Sequence, residues 1–266
     1  MKITKYQINT PKINKSLNIA CVSDLHARKS DAIVKALKCI SPDMILLAGD
    51  IIEVSNEFMS ERNKNALRFL EEISSIAPIY YCFGNHEIYF SHTSAEMDRV
   101  PNAQMEANTL KRVAELGVNL INDRFDRFDM SNGNNILVGG LVCGRDMDPA
   151  LNTSEPNLSF LNEYNQENVF KILLCHYPHY YEKYLKNTSF DLILSGHAHG
   201  GQWRIFGRGV YAPHQGLFPK YTSGIYDGRF IISRGAINNI SPIPRIFNPC
   251  EILQITISPK HEKQHA

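Results

Sequence analysis

Five histidines stand just past the ends of short apolar runs: His26, His86, His176, His197 and His199. Beside them come Asp24, Asp50, Asn85 and Glu87, in the segments DLH (24–26), GD (49–50), GNHE (84–87) and GHAHGG (196–201). Imidazoles, carboxylates and an amide oxygen form a mixed nitrogen and oxygen donor set. Such a set suits manganese, iron, zinc, cobalt or nickel better than calcium or a thiolate-seeking metal. One divalent ion takes about four protein ligands at a closed site and about three at a catalytic one. This group offers roughly twice that number, which fits two ions about 3.5–4 Å apart. Their repulsion is on the order of 20 kcal/mol at an effective dielectric near 20. An anion must sit between them, either a carboxylate on a strand end or a hydroxide made from water. Any one of these motifs alone is weak, and their joint order carries the weight.

The apolar runs before these clusters lie at 17–23, 44–48, 79–83, 169–175 and 192–195. They lack clean alternation, as expected of strands covered on both faces. Helical patterns at 31–40, 61–75 and 104–116 fall between the early runs. That order predicts βαβ units and a largely parallel sheet in the first half. Ligands of such sheets bind beyond the carboxyl ends of the strands, where the polar clusters fall. Runs at 136–142, 230–233 and 252–257 are shorter or alternating and are expected to form a second sheet of mixed direction, packed face to face on the first. Cys175 should turn away from His176 by strand alternation and stay an inert buried thiol.

A formal net charge of +1 over 266 residues supplies no field for a polyanion, so no nucleic-acid partner is expected. No apolar run approaches the roughly 18 residues of a membrane span, and no apolar h-region follows the first lysines. The six cysteines, at 21, 39, 82, 143, 175 and 250, include no CxxC pair. Together these features lead to an expectation of a cytoplasmic protein.

The ordered set DLH, GD, GNHE, His176 and GHAHGG resembles the calcineurin-like metallophosphoesterases, and the resemblance covers most of the chain. It implies an α/β (α+β) fold, a four-layer αββα sandwich of two mixed β-sheets flanked by helices, formed as a single domain over 1–266. Carried over residue by residue, Asp24, His26, Asp50 and His199 would hold a first metal. Asp50, Asn85, His176 and His197 would hold a second, with Asp50 as the bridge. The implied cofactor is two divalent ions, manganese first, with iron, zinc, cobalt or nickel as alternatives. With Asp24, Asp50 and a bridging hydroxide, the site is left near a charge of about +1 and attracts a phosphoryl group. His86, outside the ligand tally, would protonate the leaving oxygen or steady the transition state. Glu53 stands where it can orient His86. The protein Ser/Thr phosphatase branch places a phosphate-clamping arginine in the next position, which here is Val54.

Stretches GGQWRIF (200–206), GVYAPHQGLFPKYTSGIY (209–226), SRGAIN (233–238) and RIFNPCEI (245–252) resemble a narrower bacterial branch of phosphodiesterases, usually exported or membrane-anchored. The implied activity is a phosphodiesterase working on a small phosphorylated substrate, with the hydroxide attacking in line. The alternatives are a pyrophosphatase acting on a nucleotide-linked lipid precursor of the UDP-diacylglucosamine type, and a non-catalytic metal-binding scaffold. Oligomeric state has no signal in the sequence. Trp203, Phe206, Tyr211, Phe218 and Tyr221 read first as edge packing of the second sheet, and second as an apolar wall of the cleft. His179 reads as structural and His214 equally as a substrate contact or a loop residue. The polar insertion 89–108 reads as a cap.

Overall fold

The computed structural model describes residues 1–53, 61–88, 111–129, 135–142, 155–237 and 244–260. Its early strands are β1 (Lys2–Thr10), β2 (Leu17–Val22), β3 (Met44–Ala48), β4 (Ile79–Cys82) and β5 (Val118–Leu120). Then come β6 (Arg124–Asp129), β7 (Asn135–Leu141), β8 (Phe170–Cys175) and β9 (Leu192–Ser195). Two short ribbons follow: β10 (Arg204–Ile205) with β11 (Arg208–Gly209), and β12 (Tyr211–Ala212) with β13 (Gly216–Leu217). The last strands are β14 (Gly224–Tyr226), β15 (Phe230–Ile232) and β16 (Glu251–Pro259).

Strand alternation explains the uninterrupted apolar runs. In β2 and β3, Leu17, Ile19, Cys21, Met44, Leu46 and Ala48 enter a core between two sheets. Ala20, Val22, Ile45 and Leu47 point the other way and are equally buried under helices. Both faces of the strands are dry, so every position but the half-buried Asn18 is apolar.

The first sheet runs β1-β16-β2-β3-β4-β5, parallel from β2 to β5, with β16 antiparallel to β2. The second runs β14-β15-β9-β8-β7-β6, parallel from β15 to β7 and antiparallel at both edges. The sheets pack face to face through the Ile172, Leu174, Leu194 and Ile231 side of the second. Helices α1 (Asp31–Ile40) and α2 (Glu61–Ser74) cover the outer face of the first sheet. In α1 the buried Ile33, Val34, Leu37 and Ile40 follow helical spacing, and Ser41 closes it in the left-handed region. A single turn, α3 (Asn85–Ile88), follows β4. Helix α4 (Leu158–Gln166), capped by the Asn157 side chain on Phe160 N, covers the second sheet with Phe160, Leu161 and Tyr164. The layers are therefore helix, sheet, sheet, helix.

The run at 252–257 does not belong to the second sheet, as its alternation suggested. It lies in β16, inserted between β1 and β2 of the first sheet. Alternation reports which face of a strand is covered, not which neighbour it pairs with. Of the pattern at 104–116, residues 111–115 are helical, 116 is in a turn, and 104–110 fall outside the described residues. The insertion 89–108 also lies outside them. Strand β1 and helix α4 had no counterpart in the sequence reading.

Candidate metal centre

Five parallel strands release their chains at one edge of the sandwich. From the first sheet, β2 leads to Asp24 and His26, β3 to Asp50, and β4 to Asn85 and His86. From the second, β8 leads to His176, and β9 to His197 and His199. The turns there are tight. Asp24, His26, Asp50, His197 and His199 all have left-handed backbone, with φ between +46° and +65°. Such a conformation is strained for a residue with a Cβ, and its clustering marks a site that the surrounding structure holds in place. Backbone bonds lock the loops together: Asp24 N to Gly49 O at 3.0 Å, His26 N to Asp50 O at 2.9 Å, and Gly196 N to His176 O at 3.2 Å.

Glycine lets these loops approach. A Cβ on Gly196 would lie 2.6 Å from Asp24 Oδ2. On Gly49, which also needs φ +87°, it would lie 2.5 Å from His176 Nδ1.

The result is a compact donor cluster. Asp24, His26 and His199 bring ligand-type atoms within 4.8 Å of one another, and so do Asp50, His176 and His197. A third overlapping group joins His26, Asp50 and His86. His176 Nε2 lies 3.0 Å from Asp50 Oδ2, and His199 Nε2 lies 3.3 Å from Asp24 Oδ1. The backbone contributes as well, His197 N donating to Asp24 Oδ1 and His86 N to Asp50 Oδ1, both at 2.9 Å.

Four of these donors are buried with no hydrogen-bond partner: Asp24 Oδ2, His26 Nε2, Asn85 Oδ1 and His176 Nε2. The close approach of His176 Nε2 to Asp50 lacks hydrogen-bond geometry. Orphaned buried polar atoms are rare in folded proteins because each costs desolvation without return. Four, of ligand type and converging from both sheets, fit divalent cations. Burial would raise Asp50, yet the charges of His176 and His86 hold it well below the usual carboxylate range. Burial also drives His199 down to about 3 and His197 well below its ordinary value, so both stay neutral, as metal ligation requires. His176, raised to about 9 by Asp50 against the effect of burial, would have to give up its Nε2 proton to a cation.

The sequence model of the calcineurin-like phosphoesterase family matches residues 17–201, well over half of the chain. The chain belongs to this family. It is 26% identical, over 97% of its own length and 64% of the other's, to an uncharacterized metallophosphoesterase of Campylobacter jejuni. It thus spans just under two thirds of that relative. It is 27% identical to the phosphodiesterase YaeI of Escherichia coli, over 70% of this chain and 62% of YaeI. It is 25% identical to the UDP-2,3-diacylglucosamine pyrophosphatase LpxG of Chlamydia muridarum, over 95% of this chain and 88% of LpxG.

Around the donors of this calcineurin-like phosphoesterase, further side chains fix orientation. Glu53 accepts from His26 Nδ1 at 2.7 Å and from His86 Nδ1 at 2.8 Å. Burial opposes its ionisation, but those two contacts bring it down to about 2. Burial likewise opposes the charge on His86, while Asp50 and Glu53 raise it to about 9. Glu87 ties two motifs together, accepting from the backbone of Asp50, Ile51, Ile52 and Gly84 at 2.6–3.1 Å and from the Tyr81 hydroxyl. His176 Nδ1 donates to Ala48 O at 2.7 Å.

Sequence reasoning gave no role to Arg245, whose Nη2 donates to His199 Nδ1 at 3.1 Å and whose Nη1 is buried without a partner. Asn248 supports the same loop, donating to His199 O at 2.7 Å. Both fall within the quoted RIFNPCEI run, the one signal that could have drawn attention to them. His214 contacts the centre indirectly, its Nδ1 3.0 Å from His197 Nε2 and its ring stacked on it at 12°. His179 packs against Tyr177 and Tyr180. Cys175 is buried, its thiol pushed up to about 12 by desolvation. The aromatic stretch departs from the edge-packing expectation. Tyr221 alone of the five is buried, against Tyr181 and Phe230, while Trp203, Phe206, Tyr211 and Phe218 are exposed.

Proposed function

We propose that this chain hydrolyses phosphodiesters with two divalent ions, manganese first, held by the strand-end cluster. The observation that carries the reading is the set of four buried, unpartnered donors Asp24 Oδ2, His26 Nε2, Asn85 Oδ1 and His176 Nε2. Asp24, His26, Asp50 and His199 would hold one ion, and Asp50, Asn85, His176 and His197 the other, with Asp50 shared. Bound there, the ions would supply Lewis-acid polarisation of phosphoryl oxygens and activation of water for in-line attack.

The chain's own residues do the rest. Glu53 accepts hydrogen bonds from the Nδ1–H groups of His26 and His86, which leaves His26 Nε2 bare as a ligand atom and fixes the ring of His86. His86, held protonated by Asp50 and Glu53, gives its proton to the leaving oxygen. Arg245 is the guanidinium that meets a phosphoryl oxygen, in place of the arginine absent at Val54. A His199 that ligates through Nε2 carries its proton on Nδ1 and can no longer accept from Arg245, so the guanidinium donors pass to substrate.

The whole chain, 1–266, acts as one domain in this reading. It works in the cytoplasm, a placement supported by the free thiols of Cys21, Cys39, Cys82, Cys175 and Cys250. A second reading, a pyrophosphatase on a nucleotide-linked lipid, draws support from the match over 88% of LpxG. The test is hydrolysis of bis(p-nitrophenyl) phosphate by manganese-loaded protein, beside a panel of pyrophosphate-linked lipids. Asp50→Asn or His197→Ala should abolish turnover; full turnover in either would end the assignment. A pyrophosphate preference of orders of magnitude would select the second reading.

A further inference from the structure

The loops that carry His199 and Arg245 also carry the most exposed large apolar side chains among the described residues. Phe206 is 103% exposed, Phe247 85%, Leu217 73% and Phe218 72%. Phe206 is at the tip of the β10–β11 hairpin, Phe218 follows β13, and Phe247 lies in the loop before β16. Backbone contacts hold these loops side by side. Trp203 bridges Ile246, Arg204 N donates to Ile246 O at 3.0 Å, Val210 N to Trp203 O at 2.9 Å, and Phe218 N to Val210 O at 2.8 Å.

All three phenylalanines occupy left-handed backbone, at φ +49°, +50° and +53°. A water-facing turn would take glycine or asparagine there without strain. Phenylalanine at three such tips is strained and exposes apolar surface as well, which calls for an apolar partner. The charge around them indicates which partner. Residues 192–226 and 244–250 contain no aspartate or glutamate, yet they include Arg204, Arg208, Lys220 and Arg245, of which Arg204 donates to Gly200 O and Arg245 to His199. Arg208 is exposed, and Lys220 pairs with Glu182 outside this acid-free stretch. Separate projecting rings need no matching holes in a fluid hydrocarbon phase, and basic residues beside them suit anionic headgroups.

We infer that this face docks on an anionic lipid bilayer, with Phe206, Phe218 and Phe247 entering the headgroup layer. Docking would bring the donor cluster to the headgroup phosphates, because Arg245 and His199 sit in the same loops.

The chain's single tryptophan, Trp203, lies on this face and reports on it directly. The protein is mixed with phosphatidylcholine vesicles, with or without half phosphatidylglycerol. Docking predicts sedimentation with the anionic vesicles, a blue shift of Trp203 emission, and quenching by brominated lipid. The double variant Phe206→Ser/Phe247→Ser should lose at least tenfold in vesicle affinity, with an unchanged melting temperature and unchanged turnover of bis(p-nitrophenyl) phosphate. Wild-type protein left in the supernatant of both vesicle types would overturn the inference. So would a wild-type dimer that the double variant dissociates, which would assign the face to a second copy. Vesicle binding without any ester turnover in the wild type would support docking and remove the hydrolase reading instead.

Discussion

Glu53 Oε2 lies 2.8 Å from His86 Nδ1 while its other oxygen lies 2.7 Å from His26 Nδ1, so one carboxylate fixes two imidazoles. The rings meet edge to face, with centroids 4.5 Å apart. In Glu53→Gln one of the two imidazoles faces an amide N–H, which cannot accept its proton. We expect manganese affinity and kcat/KM to fall about 10–100-fold. Titration of metal with parallel steady-state kinetics checks this, and two unchanged constants would remove Glu53 from the site.

Arg245 donates to His199 with one nitrogen and keeps the other buried and unpartnered. Arg245→Met should raise KM for a phosphodiester by about 10–100-fold, the cost of a lost charge-assisted hydrogen bond. Metal content should stay at the wild-type level. A variant that loses metal at unaltered KM would mean that Arg245 braces the ligand loop and does not meet substrate.

Gly84 separates two kinds of glycine effect. A Cβ there would come 2.3 Å from Asp50 Oδ1 and 2.9 Å from His176 Cδ2, although its backbone is not left-handed. Gly84→Ala should therefore push the Asp50 carboxylate aside and lower manganese occupancy while the protein stays folded. Gly117 has φ +72° and open space around the missing Cβ. Gly117→Ala should cost about 1 kcal/mol of backbone strain and leave metal untouched. Mass-spectrometric metal counts and urea melts on the two variants distinguish the mechanisms.

Glu87 is a structural acid within the GNHE motif. It satisfies four backbone N–H groups that are otherwise buried. Each donor stranded by Glu87→Ala costs roughly 1–3 kcal/mol before relaxation. We expect about 4 kcal/mol of destabilisation by urea unfolding, and a smaller loss for Glu87→Gln, whose amide oxygen still accepts. Equal stability in all three proteins would contradict this role.

The donors were legible in sequence because each stands directly after an apolar run, and a parallel sheet delivers strand ends to one edge. The helices α1 and α2 were legible for the same reason, their apolar stripes being local. What escaped was long-range. Arg245 reaches His199 from a loop 46 positions away that no periodicity marks. β16 looks like any half-alternating strand, and only pairing with β1 and β2 places it in the first sheet. β1 is a mostly polar edge strand whose burial alternates weakly, so it carries little apolar signal. Phe206 and Phe218 were read first as edge packing and Phe247 had no reading, because ring size suggests a core while burial depends on what the fold brings near.

Asp50 is the residue proposed to stand between the two cations. The most direct measurement is the manganese content of reconstituted wild-type protein and of Asp50→Asn, by mass spectrometry after removal of free metal. Two ions per chain are expected in the wild type and a clear loss in the variant. One ion or none in the wild type, or two retained by Asp50→Asn, would contradict this placement.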